Sequence, residues 1–216
     1  MAVNIHTSLR ADARGWGSGW PHCSVHPVSL TVDGTSFPGG VAPEIHDLLE
    51  LLLVESEKRG LVKLHPGWCW GYGCRPITGT TTVPSNHSWG LAVDINAPTN
   101  GYGSSSHTIP ASMGAFWNRY GFRWGGDYTG NKDWMHFEFM GTPQDAKEMT
   151  DKARKDFGGE DELTDAEKRQ LDKAFAFVQS VEKLLGPGKQ KAPAGAAGER
   201  VARAVKEVEK NEHNPQ

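Results

Sequence analysis

Apolar residues return at helical spacing at Ile45, Leu48, Leu49, Leu52 and Leu53, with charged residues on the opposite side. This single stripe predicts an amphipathic helix over residues 43–59. Pro43 sits in its first turn, where a missing N–H costs nothing, and Gly60 is placed to end it. A second helix is expected over residues 110–120, stopped by Gly121. Two other stretches alternate with period two. In residues 91–96, Leu91, Val93 and Ile95 share one face, and Ala92, Asp94 and Asn96 the other. In residues 134–139, Met135, Phe137 and Phe139 oppose Trp134, His136 and Glu138. Helices and short strands without strand–helix–strand alternation predict an α+β domain, a small antiparallel sheet with flanking helices.

The pattern changes near Gly158. Tryptophan and cysteine disappear, and Ala, Lys and Glu dominate. Thr164, Asp165, Ala166 and Glu167 form a capping-box pattern ahead of an apolar stripe from Leu171 to Leu185. Residues 186–198 read as a Pro/Gly/Ala linker, and Val201, Ala204, Val205 and Val208 mark a second short helix. The expected organisation is a catalytic domain over residues 1–157 and a helical C-terminal extension over 158–216. The extension reads as a solvated helical appendage, with self-association or wall binding as other roles for its apolar stripe.

Composition narrows the classes. Mean hydropathy is -0.54, and no apolar run reaches the roughly 18 residues of a membrane span. Net charge is -3, too near neutral to draw nucleic acid by bulk attraction. Residues 1–20 contain no apolar segment of the kind a secretory signal carries. The three cysteines are too few for a disulfide scaffold or a zinc ribbon. Cys69 and Cys74 are spaced to bridge, to bind metal or to pack as small apolar residues; without an export signal, reduced thiols are expected.

The chemistry concentrates in two segments. Ser85-Asn86-His87-Ser88-Trp89-Gly90-Leu91-Ala92-Val93-Asp94 supplies a histidine and a carboxylate. Asp133-Trp134-Met135-His136 supplies a second histidine and a second carboxylate. Either histidine alone reads as an ordinary polar residue at a sheet edge. Together, on segments read as strands or strand edges, they form the parts of a hydrolytic Zn2+ centre: His87, Asp94 and His136 as ligands, an open position for water, and a base. Strand parity puts Asp94 and His136 on non-core faces, so they meet if the strands pair. Asp133 is the expected general base. Residues three apart on a regular strand point to opposite faces, so Asp133 must lie in the loop before the strand to serve His136. Asp127 is its rival, although a turn carboxylate after Gly125-Gly126 is the plainer reading. Glu138 shares the parity of His136 and is placed to hold its second ring nitrogen.

At these residues the chain resembles the zinc D-alanyl-D-alanine carboxypeptidases and L-alanyl-D-glutamate endopeptidases of bacteria and phages. They share the pattern S-x-H-x-x-G-x-A-x-D, matched here by Ser85, His87, Gly90, Ala92 and Asp94, and a carboxylate three residues before a histidine, matched by Asp133 and His136. The resemblance covers residues 41–140, and residues 121–127 and 135–138 look like the phage-lysin branch. It implies the hedgehog/DD-peptidase-like α+β fold and a zinc site on His87, Asp94 and His136. It also implies that Asp133 activates the attacking water, that Ser85 steadies the ligand loop or the substrate, and that Arg75 stabilises an oxyanion or binds a substrate carboxylate. A solvated arginine beside a Gly-rich loop is the plainer reading of Arg75, and the helix that usually follows this arginine is not evident in residues 76–84. Residues 101–106 are positioned to line a groove, and Trp89, Trp124 and Trp134 to wall it or to fill the core.

The implied function is hydrolysis of an amide bond in the peptidoglycan stem peptide, by an endolysin-type endopeptidase released to the wall through a pore formed by another protein. A D-Ala-D-Ala carboxypeptidase is the alternative within enzymes. A non-catalytic zinc-containing wall-binding module is the alternative outside them. Neither a nucleic acid nor a membrane span enters any of these readings.

Overall fold

The computed structural model describes residues 2–157 and, beyond them, Phe175. The helical extension expected over 158–216 lies outside the described residues. The elements all fall in one unit of the chain, Met1–Glu160.

The chain enters as an extended arm with one 3-10 turn, Asp12–Arg14. A hairpin follows: β1 (Val28–Val32) pairs antiparallel with β2 (Thr35–Val41). Asp33 and Gly34, both at positive φ, make its two-residue turn. Next comes α1 (Pro43–Lys58), within one residue of its expected span, with Pro43 in the first turn. Its predicted stripe, Ile45, Leu48, Leu49, Leu52 and Leu53, is entirely shielded from solvent. Each such burial is worth about 1.5–3 kcal/mol, so this face organises the core.

A long loop leads to a 3-10 turn, Asn86–Trp89, and then β3 (Ala92–Asp94). His87 therefore lies on a tight helical turn, not on a strand. Gly90 closes that turn in the left-handed region at φ 66, and a Cβ there would come within 2.5 Å of the Ala42 nitrogen. Only glycine fits both demands. α2 (Ala111–Asn118) lies within the second predicted helix. β4 (Phe122–Trp124), β5 (His136–Phe139) and α3 (Pro143–Phe157) complete the unit.

The second sheet has the order β3-β5-β4, all antiparallel. Trp70 adds to the free edge of β3 through reciprocal backbone hydrogen bonds with Asp94. Phe137 and Phe139 turn inward onto Trp117 and Phe122. The architecture is α+β, as the hydrophobic pattern predicts.

The cysteines depart from expectation. Cys23 and Cys74 form a disulfide 51 residues apart in sequence, and Cys69 is the buried free thiol. The expectation of reduced thiols rests on the lack of an export signal, and spacing directs attention to Cys69 and Cys74, whereas the fold brings the distant arm back to the loop that carries Cys74. The arm is held elsewhere too. The Arg14 guanidinium donates to the carbonyls of Phe139 and Gly141, Trp16 Nε1 donates to Gly141 O, and Trp89 Nε1 donates to Gly17 O.

Candidate metal centre

β3 and β5 pair so that Asp94 stands directly opposite His136. His136 Nδ1 lies 3.0 Å from Asp94 Oδ1, and His87 Nε2 lies 3.3 Å from Asp94 Oδ2. One ligating atom from each of the three residues falls within 4.8 Å of the others, and all three side chains are buried. Ligand atoms on a tetrahedral ion with bonds of about 2.0–2.2 Å are separated by roughly 3.3–3.6 Å, so the spacing fits a small cation.

The hydrogen bonding of the rings decides which nitrogens face the cluster. His87 Nδ1 sits 2.6 Å from the Gly71 carbonyl, which can only accept, so Nδ1 carries the proton and Nε2 presents its lone pair. Nε2 lies within reach of Asp94 but lacks hydrogen-bond geometry there, and it is a buried polar atom without a partner. An orphaned nitrogen aimed at a carboxylate and a second imidazole is the arrangement a metal ion satisfies. His136 is reversed: Nδ1 faces Asp94, and Nε2 faces Glu138 Oε2 at 3.6 Å.

Electrostatics follow from burial and pairing. Burial works against the Asp94 carboxylate, but the hydrogen bond from His136 and the close approach of His87 outweigh it and hold its pKa well below the usual range. Burial likewise disfavours the His136 imidazolium, yet its hydrogen bond to Asp94 and its ion-pair contact with Glu138 push it up to about 10 in the metal-free protein. Burial would raise Glu138, but His136, Arg123 and Tyr128 hold it low.

The cluster opens into a cleft of about 490 Å³ that Arg75, Tyr102 and Asp133 also line. Asp133 precedes β5 rather than belonging to it, which removes the parity difficulty. Its N–H donates to Gly125 O, and its carbonyl accepts from His136 N. Its Oδ1 is buried without a partner, and burial raises its pKa. Gly125 permits this: a Cβ there would sit 2.3 Å from Asp133 O. Asp127 is exposed and lines a separate cavity. Both oxygens of Glu138 are occupied by donors. Neither is placed as a base.

Ser85 Oγ accepts from His87 N at 3.3 Å, capping the turn that carries the histidine. Arg75 lines the cleft, and among the described residues its only side-chain hydrogen bond is a long one of 3.5 Å from Nη1 to the adjacent Pro76 carbonyl. Its loop is tied to the His87 turn, since Ser88 Oγ donates to Arg75 O and Ser85 N donates to Arg75 O. No helix follows it before residue 86. Tyr102 is exposed at the cleft and bridges to Asp133. Trp89 and Trp124 are core residues, while Trp134 is half-buried and stacks on His107. Gly71, Asn86, Arg123 and Tyr128 support the site without standing out in the sequence. No local motif marks them, because they converge only through strand pairing and the loop before β3.

Residues 78–139 match the family model described as D-alanyl-D-alanine carboxypeptidase. This segment contains His87, Asp94, Asp133 and His136, so the match falls on the same residues that carry the resemblance read from the sequence. Comparison with curated proteins and with solved structures finds no match.

Proposed function

We propose that this chain is a zinc-dependent peptidase that hydrolyses an amide bond in the stem peptide of peptidoglycan, by preference as an L-alanyl-D-glutamate endopeptidase of the endolysin type. The observation that carries the reading is the buried His87, Asp94 and His136 set, open on one side to a cleft whose wall holds the unpartnered Asp133 Oδ1. A structural zinc site is closed by a fourth protein ligand, whereas a hydrolytic one keeps a position free beside a base.

His87 Nε2, Asp94 and His136 Nδ1 would hold the ion. Bound there, Zn2+ would polarise the scissile carbonyl and make water a nucleophile near neutral pH. Asp133 accepts the proton of the attacking water and returns it to the leaving amine; the upward shift from burial makes its carboxylate the stronger acceptor. The Arg75 guanidinium is available on the cleft wall to steady negative charge on the carbonyl oxygen or to hold a substrate carboxylate. Gly71 and Ser85 keep the His87 ring and its turn in place. The Cys23–Cys74 disulfide supports action on the wall side of the membrane, since such bridges persist outside a reducing cytoplasm.

The family description favours a second reading, removal of a terminal D-alanine. Mass spectrometry of fragments released from purified peptidoglycan by the zinc-loaded protein separates the two. Cleavage after L-alanine supports the endopeptidase, and loss of only the terminal D-alanine supports the carboxypeptidase. Wall binding with no released fragment would overturn both in favour of a binding module.

A further inference from the structure

Glu138 is a buried carboxylate with more partners than a strand residue requires. It occupies the central strand β5, opposite Arg123 on β4 and Ala92 on β3. Its Oε1 accepts from Arg123 Nε at 2.7 Å, from a second, very close nitrogen of the same guanidinium, and from the Tyr128 hydroxyl at 2.6 Å. Its Oε2 accepts from Asn86 Nδ2 at 2.5 Å and faces His136 Nε2. Asn86 precedes His87 in the chain, and its Oδ1 accepts from Arg14 of the N-terminal arm at 3.4 Å. The carboxylate thus touches the ring of one candidate ligand and the turn that carries the other.

We infer that Glu138 is the positioning residue of the metal centre: held by Arg123 and Tyr128, it fixes the ring of His136 and, through Asn86, the distance between the two histidine-bearing segments. This rests on the metal reading proposed above. The arrangement follows from the donors. Glu138 can only accept, so its Oε2, 3.6 Å from His136 Nε2, favours a proton on that nitrogen and leaves Nδ1 as the one to face a cation. Arg123 compensates the buried charge, which leaves Glu138 one oxygen for the metal-facing side. Asn86 donates with its amide nitrogen and accepts with its oxygen, so it couples the β5 carboxylate to the arm without adding charge. The two histidines are thereby held through unlike second atoms: His87 by the Gly71 carbonyl and His136 by a carboxylate.

The test measures Zn2+ affinity of the full chain by chelator competition, and the visible absorption of its Co2+ form, in wild type, Glu138→Gln, Tyr128→Phe and Asn86→Ala. Loss of an outer partner to a metal-ligating histidine typically weakens binding about 10–100-fold. Glu138→Gln is expected to fall in that range while keeping its far-ultraviolet circular dichroism, and to shift the Co2+ spectrum. Asn86→Ala should weaken binding less, and Tyr128→Phe least, because Arg123 still holds the carboxylate. A structural role alone would lower the melting temperature without altering the spectrum of the folded Co2+ form. Folded Glu138→Gln with wild-type affinity and spectrum would overturn the inference. Should Glu138→Gln not fold, unchanged affinity in both Asn86→Ala and Tyr128→Phe would overturn it. Failure of the wild type itself to take up Zn2+ would instead overturn the metal reading, and this inference with it.

Discussion

Two residues at the centre are shifted in opposite directions, and only one of them must lose a proton before a cation binds. In the metal-free protein the His136 imidazolium titrates at about 10, against its ordinary 6.5. Its contribution to stability is therefore complete below 6.5 and is lost as pH rises through 10. Asp94 has the opposite sign: its pKa is lowered from 3.8, so its contribution is present above that value and is lost as pH falls through its folded pKa. Between these limits His136 Nδ1 carries a proton that a cation must displace. At about pH 7.5, zinc uptake is expected to release roughly one proton per ion, read by calorimetry in buffers of different ionisation enthalpy. Uptake with no proton release would mean that His136 Nδ1 is not a ligand. Asp133 makes a separate prediction, because its oxygen stands beside the cluster but outside it. Asp133→Ala should retain zinc and melting temperature while losing about 10²–10⁴-fold in turnover, the usual weight of a general base. Retained turnover would remove Asp133 from the mechanism.

At the scale of elements, what was legible depended on whether a signal was local. The stripe of α1 is five leucine and isoleucine positions at one period, and it predicts the helix within one residue. The opposed pair Asp94 and His136 follows from parity once β3 and β5 pair. The β1–β2 hairpin was missed although Asp33-Gly34 between alternating apolar residues is a strong turn signal. α3 was missed for a different reason. Its buried stripe is Ala146, Met149, Thr150 and Ala153, residues too small and polar to stand out against their charged neighbours. β4 is three residues long and bounded by Gly121 and Gly125, so no alternation extends beyond it as it does around β3. The disulfide was illegible because the closeness of Cys23 and Cys74 is a property of the arm's path, which backs the His87 loop. Closing a loop of this length commonly contributes about 2–4 kcal/mol. Replacing both residues, Cys23→Ser with Cys74→Ser, should lower stability by that amount in denaturant unfolding, and reductant should do the same to the wild type. If reductant leaves the unfolding midpoint unchanged, the bridge is not part of the native protein.

The whole molecule poses the question of where the catalytic unit ends. The composition shift near Gly158 suggests one boundary, and the packing of α3 argues that nothing before it can be spared. Phe157 lies with its ring centroid 5.2 Å from that of Tyr120 and 5.7 Å from that of Phe116. Asp156 accepts from the Tyr120 hydroxyl, and Arg154 pairs with Asp47 on α1. A cut inside α3 would strip the outer cover from α1 and remove the partly buried Phe157 ring from Tyr120 and Phe116. At the other end, Arg14 and Trp16 bond to carbonyls at the end of β5 and just beyond it, so the arm before the matched segment is equally part of the fold. A chain of residues 1–157 should therefore fold, bind zinc and cleave soluble stem peptides at the rate of the full protein. A chain of residues 78–139 alone should not fold, because it lacks α1, α3 and the arm. On intact walls the shorter catalytic chain should lose rate if the extension supplies wall affinity or pairs two copies, since either raises the effective concentration at the surface. The decisive comparison is between soluble and insoluble substrate for the same two chains. Equal loss on both substrates would show that the extension supports the catalytic unit itself. The apolar stripe from Leu171 to Leu185 would then belong to one domain with the candidate metal centre rather than to an appendage.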